Sequence, residues 1–320
     1  MNGGRIDLQG RRRPTYLRVL VTGRCPMQCA YCHAEGEALP RAPGQRPRGP
    51  GSDVIGGCLE AAVRTGIRKF KFLGGEPLLR PDLPGIVEGL RRAAPEADLS
   101  LITGGVAPVE NLERVFAAGL DRANLTIHGW GAEAFHRRGG TEDLRRLRDR
   151  NLEFLRRNGR PLKLNYVYSG PQDDEDLRSL LDVASRWGVL VNVLDDLSDP
   201  CASAMTVSRA LRRIRGEYLV EEVDPDPDSL PTMHLEWEDG LRVEVKQARL
   251  GEVAPWKWCP ECPKRERCRE GIFALRLGFR GDLRLCMDRP DLTLPLEPLI
   301  SRGIDAAAAA WNRFIDRSLP

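Results

Sequence analysis

The alternation of strand-like and helix-like segments constrains the fold of this chain more than any other feature. Six apolar runs, from TYLRVLV to VLVNVL, are separated by helical patterns along residues 16–194. Strands that are joined through helices run parallel, and a complete eight-unit barrel takes roughly 250 residues, more than these units occupy. The sequence therefore predicts an α/β fold, a partial (β/α)6 TIM-like barrel, with Ser52 as the cap of its first helix.

The alternation stops near EEVDPDPDSLPT, whose prolines and acidic residues are typical of a linker. Beyond it, HLEWEDGLRVEVKQ indicates a hairpin, and the remaining chain has no regular pattern. We therefore divide the chain into a partial barrel at 1–220 and a small C-terminal domain at 221–320.

Composition excludes several classes of protein. The chain has 49 basic and 46 acidic residues, a balance that argues against a nucleic-acid partner. No apolar run reaches the length needed to cross a membrane, and Arg18 interrupts the N-terminal apolar stretch, unlike a signal peptide. We expect a cytoplasmic protein without a membrane partner, in which thiols stay reduced.

Seven of the nine cysteines fall into two groups. The first group directly follows the first predicted strand, and the second lies in the predicted C-terminal domain. Cys58 and Cys201 stand apart and are expected to be ordinary thiols. The first group is Cys25, Cys29 and Cys32, and the second is Cys259, Cys262, Cys268 and Cys286.

Three thiolates on one loop suit a 4Fe–4S cluster and leave its fourth iron open to a small molecule. A zinc ion completed by His33 is the alternative. The turn GGEP after the second strand favours the cluster. Its glycines let the backbone approach a ligand closely, and Glu76 supplies a carboxylate that can hold an amino group.

The Cys-x3-Cys-x2-Cys loop together with GGEP resembles the radical S-adenosylmethionine (SAM) superfamily. Within it, YLRVLVTGRCPMQCAYC, FLGGEPLLRPDL, AAGLDRANLTIHG and LKLNYVYSG are similar to the MoaA-like GTP cyclase branch, over most of residues 11–290. The resemblance implies cleavage of SAM to a 5′-deoxyadenosyl radical that abstracts hydrogen from a substrate. It also implies that SAM is contacted by Tyr31, Gly74, Gly75 and Glu76, with Thr103, Thr126 and Asn165 as further contacts.

The spacing of the second cysteine group admits either structural zinc or a further iron–sulfur cluster. The resemblance implies an auxiliary 4Fe–4S cluster, which the cyclase family holds on three cysteines. The inserted PKRERCREGIFAL adds Cys268 as a candidate fourth ligand, as in SPASM and twitch domains, and a three-cysteine cluster with an open iron and a free Cys268 is the alternative. We therefore expect Cys259, Cys262, Cys268 and Cys286 to hold one cluster. The chain ends in DRSLP, without the double-glycine tail of the cyclase, so we expect a role outside molybdenum-cofactor synthesis.

The resemblance also places four cations where the cyclase holds its triphosphate. Grouped basic side chains form an anion pocket, and lysine in place of arginine at position 71 would change its specificity. His33 and His128 are candidates for an acid or base, or for structural histidines. The predicted substrate-binding residues are Arg18, Lys71, Lys163 and Arg276.

Our principal hypothesis is a radical SAM enzyme that acts on an anionic small molecule, nucleotide-like compounds among them, in a specialised biosynthetic pathway. It would use a reductase or flavodoxin-type electron donor. One alternative is a ribosomal-peptide maturase that forms a crosslink or epimer, although only 24 residues precede Cys25, too few for a leader-binding domain. The other alternative is a zinc-stabilised binding protein without catalysis.

Overall fold

One twelve-stranded sheet organises the computed structural model, which describes residues 13–37, 46–196, 204–224, 230–246, 256–265, 268 and 273–320. The strands are β1 (Tyr16–Thr22), β2 (Lys69–Gly74), β3 (Asp98–Thr103), β4 (Arg122–Thr126), β5 (Leu162–Tyr168), β6 (Leu190–Asp195), β7 (Val220–Asp224), β8 (Thr232–Glu236), β9 (Arg242–Lys246), β10 (Leu275–Leu277), β11 (Asp282–Arg284) and β12 (Thr293–Pro295).

Helices connect the first six strands and also follow the sheet. They are α1 (Ser52–Thr65), α2 (Leu83–Ala93), α3 (Val109–Ala117), α4 (Ala132–Arg137), α5 (Glu142–Arg157), α6 (Asp174–Trp187), α7 (Ala204–Arg215), α8 (Glu297–Ile300) and α9 (Ile304–Asp316). None of these described helices is both long and apolar enough to cross a bilayer.

Parallel pairing runs through the centre of the sheet. The strand order is β12-β11-β10-β1-β2-β3-β4-β5-β6-β9-β8-β7, and each pair from β10 to β9 is parallel. Antiparallel strands flank both ends. The predicted partial TIM-like barrel is confirmed, and the predicted hairpin is β8–β9.

The C-terminal third is more regular than the sequence predicts. Part of the expected linker forms the edge strand β7, and the residues beyond 273 contribute β10–β12, α8 and α9. Strand β10 pairs with β1, and α9 packs on α1, so this region extends the barrel sheet directly. The division at residue 220 stays a prediction.

Another local expectation is wrong. Helix α1 begins at Ser52, but Gly51 occupies the N-cap position and no side chain caps the helix. Ser52 lies one residue too far into the helix for its hydroxyl to serve as the N-cap.

Alternation along the strands separates an apolar outer face from a polar inner face. Leu17 and Val19 of β1 are fully buried in the core beneath the helices, together with Phe70 of β2. Because successive side chains of a strand point to opposite faces, the intervening Arg18 and Lys71 face the interior of the barrel.

Asn151 on α5 holds the loop that follows β3. Its Nδ2 donates to the carbonyl oxygens of Gly105 and Ala107, at 2.8 Å each, and the side chain is fully buried. Asn151→Ala would leave these carbonyls without their donor and should lower the free energy of unfolding by about 1–3 kcal/mol in chemical denaturation. Asn158→Ala, at the exposed end of α5, should change it by less than about 0.5 kcal/mol. Equal losses in the two variants would contradict this role.

Candidate active site

The GGEP turn and the entry to the cysteine loop are joined by backbone hydrogen bonds. The amide of Gly75 donates to the carbonyl of Thr22 at 2.6 Å, and that of Glu76 to the carbonyl of Arg24 at 2.7 Å. A Cβ at Gly74 would lie 2.2 Å from the Thr22 oxygen, and one at Gly75 2.2 Å from the Arg24 oxygen. Both glycines are therefore required by close backbone approach.

The Glu76 carboxylate is fixed by three donors. The Thr103 hydroxyl donates to Oε1 at 2.5 Å, the Leu78 amide to the same oxygen at 3.1 Å, and the Gly104 amide to Oε2 at 2.9 Å. The side chain is 1% exposed, and burial raises its pKa. Thr103 thus orients Glu76, and a cationic amine bound here would favour the ionised carboxylate.

The three cysteines of the first group lie on one loop. Cys25 and Cys29 are half-buried, whereas Cys32 is exposed. Burial raises the pKa of Cys25 to about 12 and that of Cys29 to about 11, so these thiols need a metal centre to become thiolates.

The geometry of the loop also bears on the zinc alternative. Among the described residues, no three His, Cys, Asp or Glu side chains are grouped so as to hold a single metal ion. A four-iron cluster spreads its thiolates over separate irons, so its ligands need no such compact grouping. His33 Nδ1 accepts the amide of Glu35 at 3.2 Å, so His33 supports the turn that follows Cys32.

Tyr31 and His128 form a fixed pair beside the cysteine loop. The Tyr31 hydroxyl lies 2.6 Å from His128 Nδ1, and Cys29 Sγ lies 3.5 Å from the same nitrogen. Burial lowers the pKa of His128 to about 4. The imidazole is therefore neutral near pH 7, with one ring nitrogen protonated and the other free to accept a hydrogen bond.

Arg138 places a cation next to this pair, and the sequence pattern did not identify it. Its guanidinium lies 5.5 Å from the Tyr31 ring centre and 4.8 Å from that of Tyr166, and it pairs with buried Asp173. The sequence cue for Arg138 is the RRGG turn that contains it. In the structure Gly139 of this turn has a φ of +84° where the chain passes the cysteine loop.

The other predicted SAM contacts follow on neighbouring strands. Thr126 and Asn165 are register partners on β4 and β5, and Asn165 Oδ1 accepts from Asn192 Nδ2 at 3.1 Å. Thr126 is the last residue of β4, at the edge that carries Cys25 and Gly75, and Asn165 lies beside it in the middle of β5. Asn192 on β6 is a further polar residue that the sequence pattern did not identify.

Three of the four predicted substrate cations form a row across the inner face. Arg276, Arg18 and Lys71 are register partners on β10, β1 and β2. Burial, together with the neighbouring cations, lowers the pKa of Lys71 well below its usual value. The fourth, Lys163, lies on β5 of the same sheet.

Two carboxylates that the sequence pattern did not single out accompany these cations. Glu35 accepts from Arg18 Nη2 and from Arg276 Nε, the latter at 2.9 Å. Glu244 on β9 pairs with Lys163 at 2.7 Å. Both contacts join residues far apart in the chain, so no local motif reveals them.

The four C-terminal cysteines border a single cavity. The amide of Cys262 donates to the carbonyl of Cys259 at 3.1 Å, which forms a tight turn between them. The amide of Asp288 donates to Cys286 Sγ at 3.3 Å. The other lining residues are Trp256, Trp258, Lys264, Arg265, Asp288, Arg289 and Leu292.

The two isolated cysteines remain outside both sites. Cys58 on α1 is fully buried in the core, in agreement with its expected role as an ordinary thiol. Cys201 lies outside the described residues.

Comparison with known proteins gives the family. The profile of the radical SAM superfamily matches residues 19–184. The chain belongs to the radical SAM superfamily. It is 30% identical over 301 residues to a protein named probable GTP 3′,8-cyclase from Methanococcus aeolicus, which covers 90% of each chain. It is 33% identical to the GTP 3′,8-cyclase of Listeria welshimeri, over 91% of this chain and 87% of that protein.

Solved structures agree with the fold. SuiB from Streptococcus suis, bound to S-adenosylmethionine, superposes with a TM-score of 0.62 at 12% identity. The match covers 89% of this chain and spans 64% of the SuiB chain. At this identity the likeness concerns the fold alone.

Membership of the radical SAM superfamily makes the protein an enzyme and implies a 4Fe–4S cluster and SAM as cofactors. The hypothesis of a zinc-stabilised binding protein without catalysis is therefore wrong. The loop of Cys25, Cys29 and Cys32 supplies the soft sulfur ligands that such a cluster requires, so the residues present fit it.

Gly75→Ala should weaken SAM binding by about tenfold or more. The added Cβ would push the GGEP turn away from the Arg24 carbonyl, and overpacking of this kind typically costs about 1–3 kcal/mol. Equilibrium dialysis of SAM against the anaerobically reconstituted protein measures the change. Gly89→Ala on α2, where a Cβ would meet no atom within 4 Å, should bind SAM like the wild type. Unchanged affinity in Gly75→Ala would show that the turn is not needed.

Proposed function

We propose that this radical SAM enzyme abstracts hydrogen from an anionic small molecule, nucleotide-like compounds among them, in a specialised biosynthetic pathway. The row of Arg276, Arg18 and Lys71 carries this proposal, with Glu35 compensating part of the charge of the two arginines. Arg18 and Lys71 lie on the inner face of β1 and β2, whose carboxyl ends lead into the cysteine loop and the GGEP turn, and Arg276 lies beside Arg18 on β10. A cationic interior beneath the SAM site suits an anion that is held within reach of that site.

The residues of the site would have two roles: some would bind the cluster, and others would bind and orient SAM. Cys25, Cys29 and Cys32 would hold the cluster, which when bound supplies the electron that cleaves SAM to a 5′-deoxyadenosyl radical. Glu76, fixed by its three donors, would accept the methionyl amine, together with backbone groups of Gly74 and Gly75.

Other side chains would complete the SAM site. Arg138 is the fixed cation beside the loop and is available to the methionyl carboxylate. Tyr31, held by His128, would lie along the adenine. Thr126 at the end of β4 and its register partner Asn165 on β5 would be further contacts.

The relatives support a small-molecule substrate. Proteins about 30% identical over most of this chain are named GTP 3′,8-cyclase, which points to a nucleotide-like compound. Another solved structure of the same fold is SuiB bound to the precursor peptide SuiA, with a TM-score of 0.61. The charged inner face favours a compact anion over a peptide, so the maturase function ranks second.

We assign an auxiliary 4Fe–4S cluster of the SPASM or twitch type to the C-terminal cavity. Its four cysteines border one space, which Trp256 and Trp258 also line. An external reductase or flavodoxin-type protein would supply the electrons.

The first test removes the cysteine loop. The variant with Cys25, Cys29 and Cys32 all changed to alanine should form no 5′-deoxyadenosine from SAM and a strong reductant, because no ligand would remain for the first cluster. It should also lose about four of the roughly eight irons of the reconstituted protein. Cys58→Ala, in the core, should retain both. Undiminished 5′-deoxyadenosine from the triple variant would refute the proposed chemistry.

The second test addresses Cys268. If all four cysteines of the C-terminal cavity hold one cluster, Cys268→Ala should make that cluster labile while 5′-deoxyadenosine formation survives. Iron analysis and the absorption spectrum after gel filtration report the loss. Wild-type iron content, spectrum and turnover in this variant would show that Cys268 is not a ligand.

A further inference from the structure

Two guanidinium groups lie side by side on the inner face. Arg18 and Arg276 are register partners in the parallel pair β1–β10. Like charges that lie directly opposite on neighbouring strands repel. The Glu35 carboxylate bridges them, since one oxygen accepts from Arg18 and the other from Arg276. Glu35 is 5% exposed. Its negative charge therefore lies in the wall of the barrel interior, which we call the chamber, and not on the solvent-facing surface.

An unusual backbone conformation at residues 34 and 35 places this carboxylate between the two arginines. Ala34 and Glu35 have φ values of 45° and 54°, in the left-handed region that residues with a Cβ avoid. The turn of residues 33–37 is held at both ends. His33 Nδ1 accepts the Glu35 amide, and Glu37 pairs with Arg284 at 3.0 Å. Strained backbone that persists at a binding site commonly serves the function of that site.

A second carboxylate is shared by two cations on the opposite wall of the chamber, on β5 and β9. Lys163 and Lys246 share the carboxylate of Glu244, at 2.7 Å and 3.8 Å. By contrast, Lys69 and Lys71 lie over the Tyr16 ring, at 5.3 Å and 5.5 Å from its centre. Within the described part of the chain, neither of these two lysines forms a salt bridge.

The Tyr16 ring that both lysines contact also carries a hydroxyl. It is buried and has no hydrogen-bond partner in the described residues, although the ring is only 4% exposed. Buried polar groups normally have partners, so the unpartnered hydroxyl of the ring that the two lysines cover suits an oxygen ligand. Lys69, Lys71 and Tyr16 therefore form the part of the wall that remains for an anion.

We propose that Glu35 is a specificity-determining residue that limits the negative charge of the substrate. Its carboxylate occupies Arg18 and Arg276, so a carboxylate or a phosphate monoester on Lys69, Lys71 and Tyr16 suits the chamber better than a triphosphate. The inference rests on the proposed function, and it narrows the substrate to anions of one or two charges.

Guanosine 5′-monophosphate and GTP test the inference, because they differ only in the charge and length of the phosphate tail. Equilibrium dialysis against the reconstituted holoenzyme gives the ratio of their dissociation constants. The wild type should bind the monophosphate at least as tightly as GTP. Glu35→Gln should shift the ratio at least tenfold in favour of GTP, because removal of the carboxylate releases Arg18 and Arg276 to the tail.

Two further variants make the test decisive. Glu37→Gln, in the same turn but paired with Arg284, should leave the ratio within twofold of the wild type. Glu244→Gln should shift the ratio towards GTP from the opposite wall, and it serves as the test if Glu35→Gln does not fold. A role of Glu35 in holding β10 alone would change both affinities together and leave the ratio constant.

The inference is overturned if the wild type binds GTP more than tenfold tighter than the monophosphate. It is equally overturned if the soluble Glu35→Gln or Glu244→Gln protein keeps the wild-type ratio or binds neither nucleotide. Formation of 5′-deoxyadenosine by the wild type reports the proposed function separately. Its absence would contradict the radical chemistry, whereas the ratio of dissociation constants would still measure the charge preference of the chamber.

Discussion

The parallel pairing of β1 with β2 is the constraint on which the site depends. It brings the carboxyl ends of the two strands to one edge, where the amides of Gly75 and Glu76 reach the carbonyls of Thr22 and Arg24. These bonds leave no room for a Cβ at the first two positions of GGEP. Backbone contacts thereby hold the cysteine loop and the carboxylate of Glu76 in a fixed relative position, so the site is preorganised and does not depend on flexible side chains.

The alternation that builds the core also creates the charged interior. When Leu17 and Val19 pack under the helices, Arg18 must face inward, and buried charges are costly unless they are paired. Glu35 and Glu244 supply that pairing from a loop and from a distant strand. The same two carboxylates therefore have opposite effects. They stabilise the fold by pairing with the buried cations, and they lower the affinity for an anion by competing with it for those cations.

Local patterns predicted the six parallel strands and the GGEP turn, because each is encoded within a few consecutive residues. The three-residue strands β10–β12 were not predicted, since they are too short to show a periodic pattern. Arg138 and Glu35 were missed for a different reason. Their importance lies in contacts with residues remote in sequence, such as Asp173 and Arg276, and only the folded chain brings those together.

The turn of residues 33–37 also links the two cysteine groups. A Cβ at Gly36 would lie 2.4 Å from the carbonyl oxygen of Met287, and Arg284 donates to the carbonyl of Gly36 at 3.3 Å. The chain just after Cys32 thus packs on the chain just after Cys286. Such close backbone contact is intolerant of displacement, because densely packed segments transmit strain. The segment after Cys32 and the segment after Cys286 are therefore fixed relative to each other by this turn, which sets the position of one cysteine group against the other.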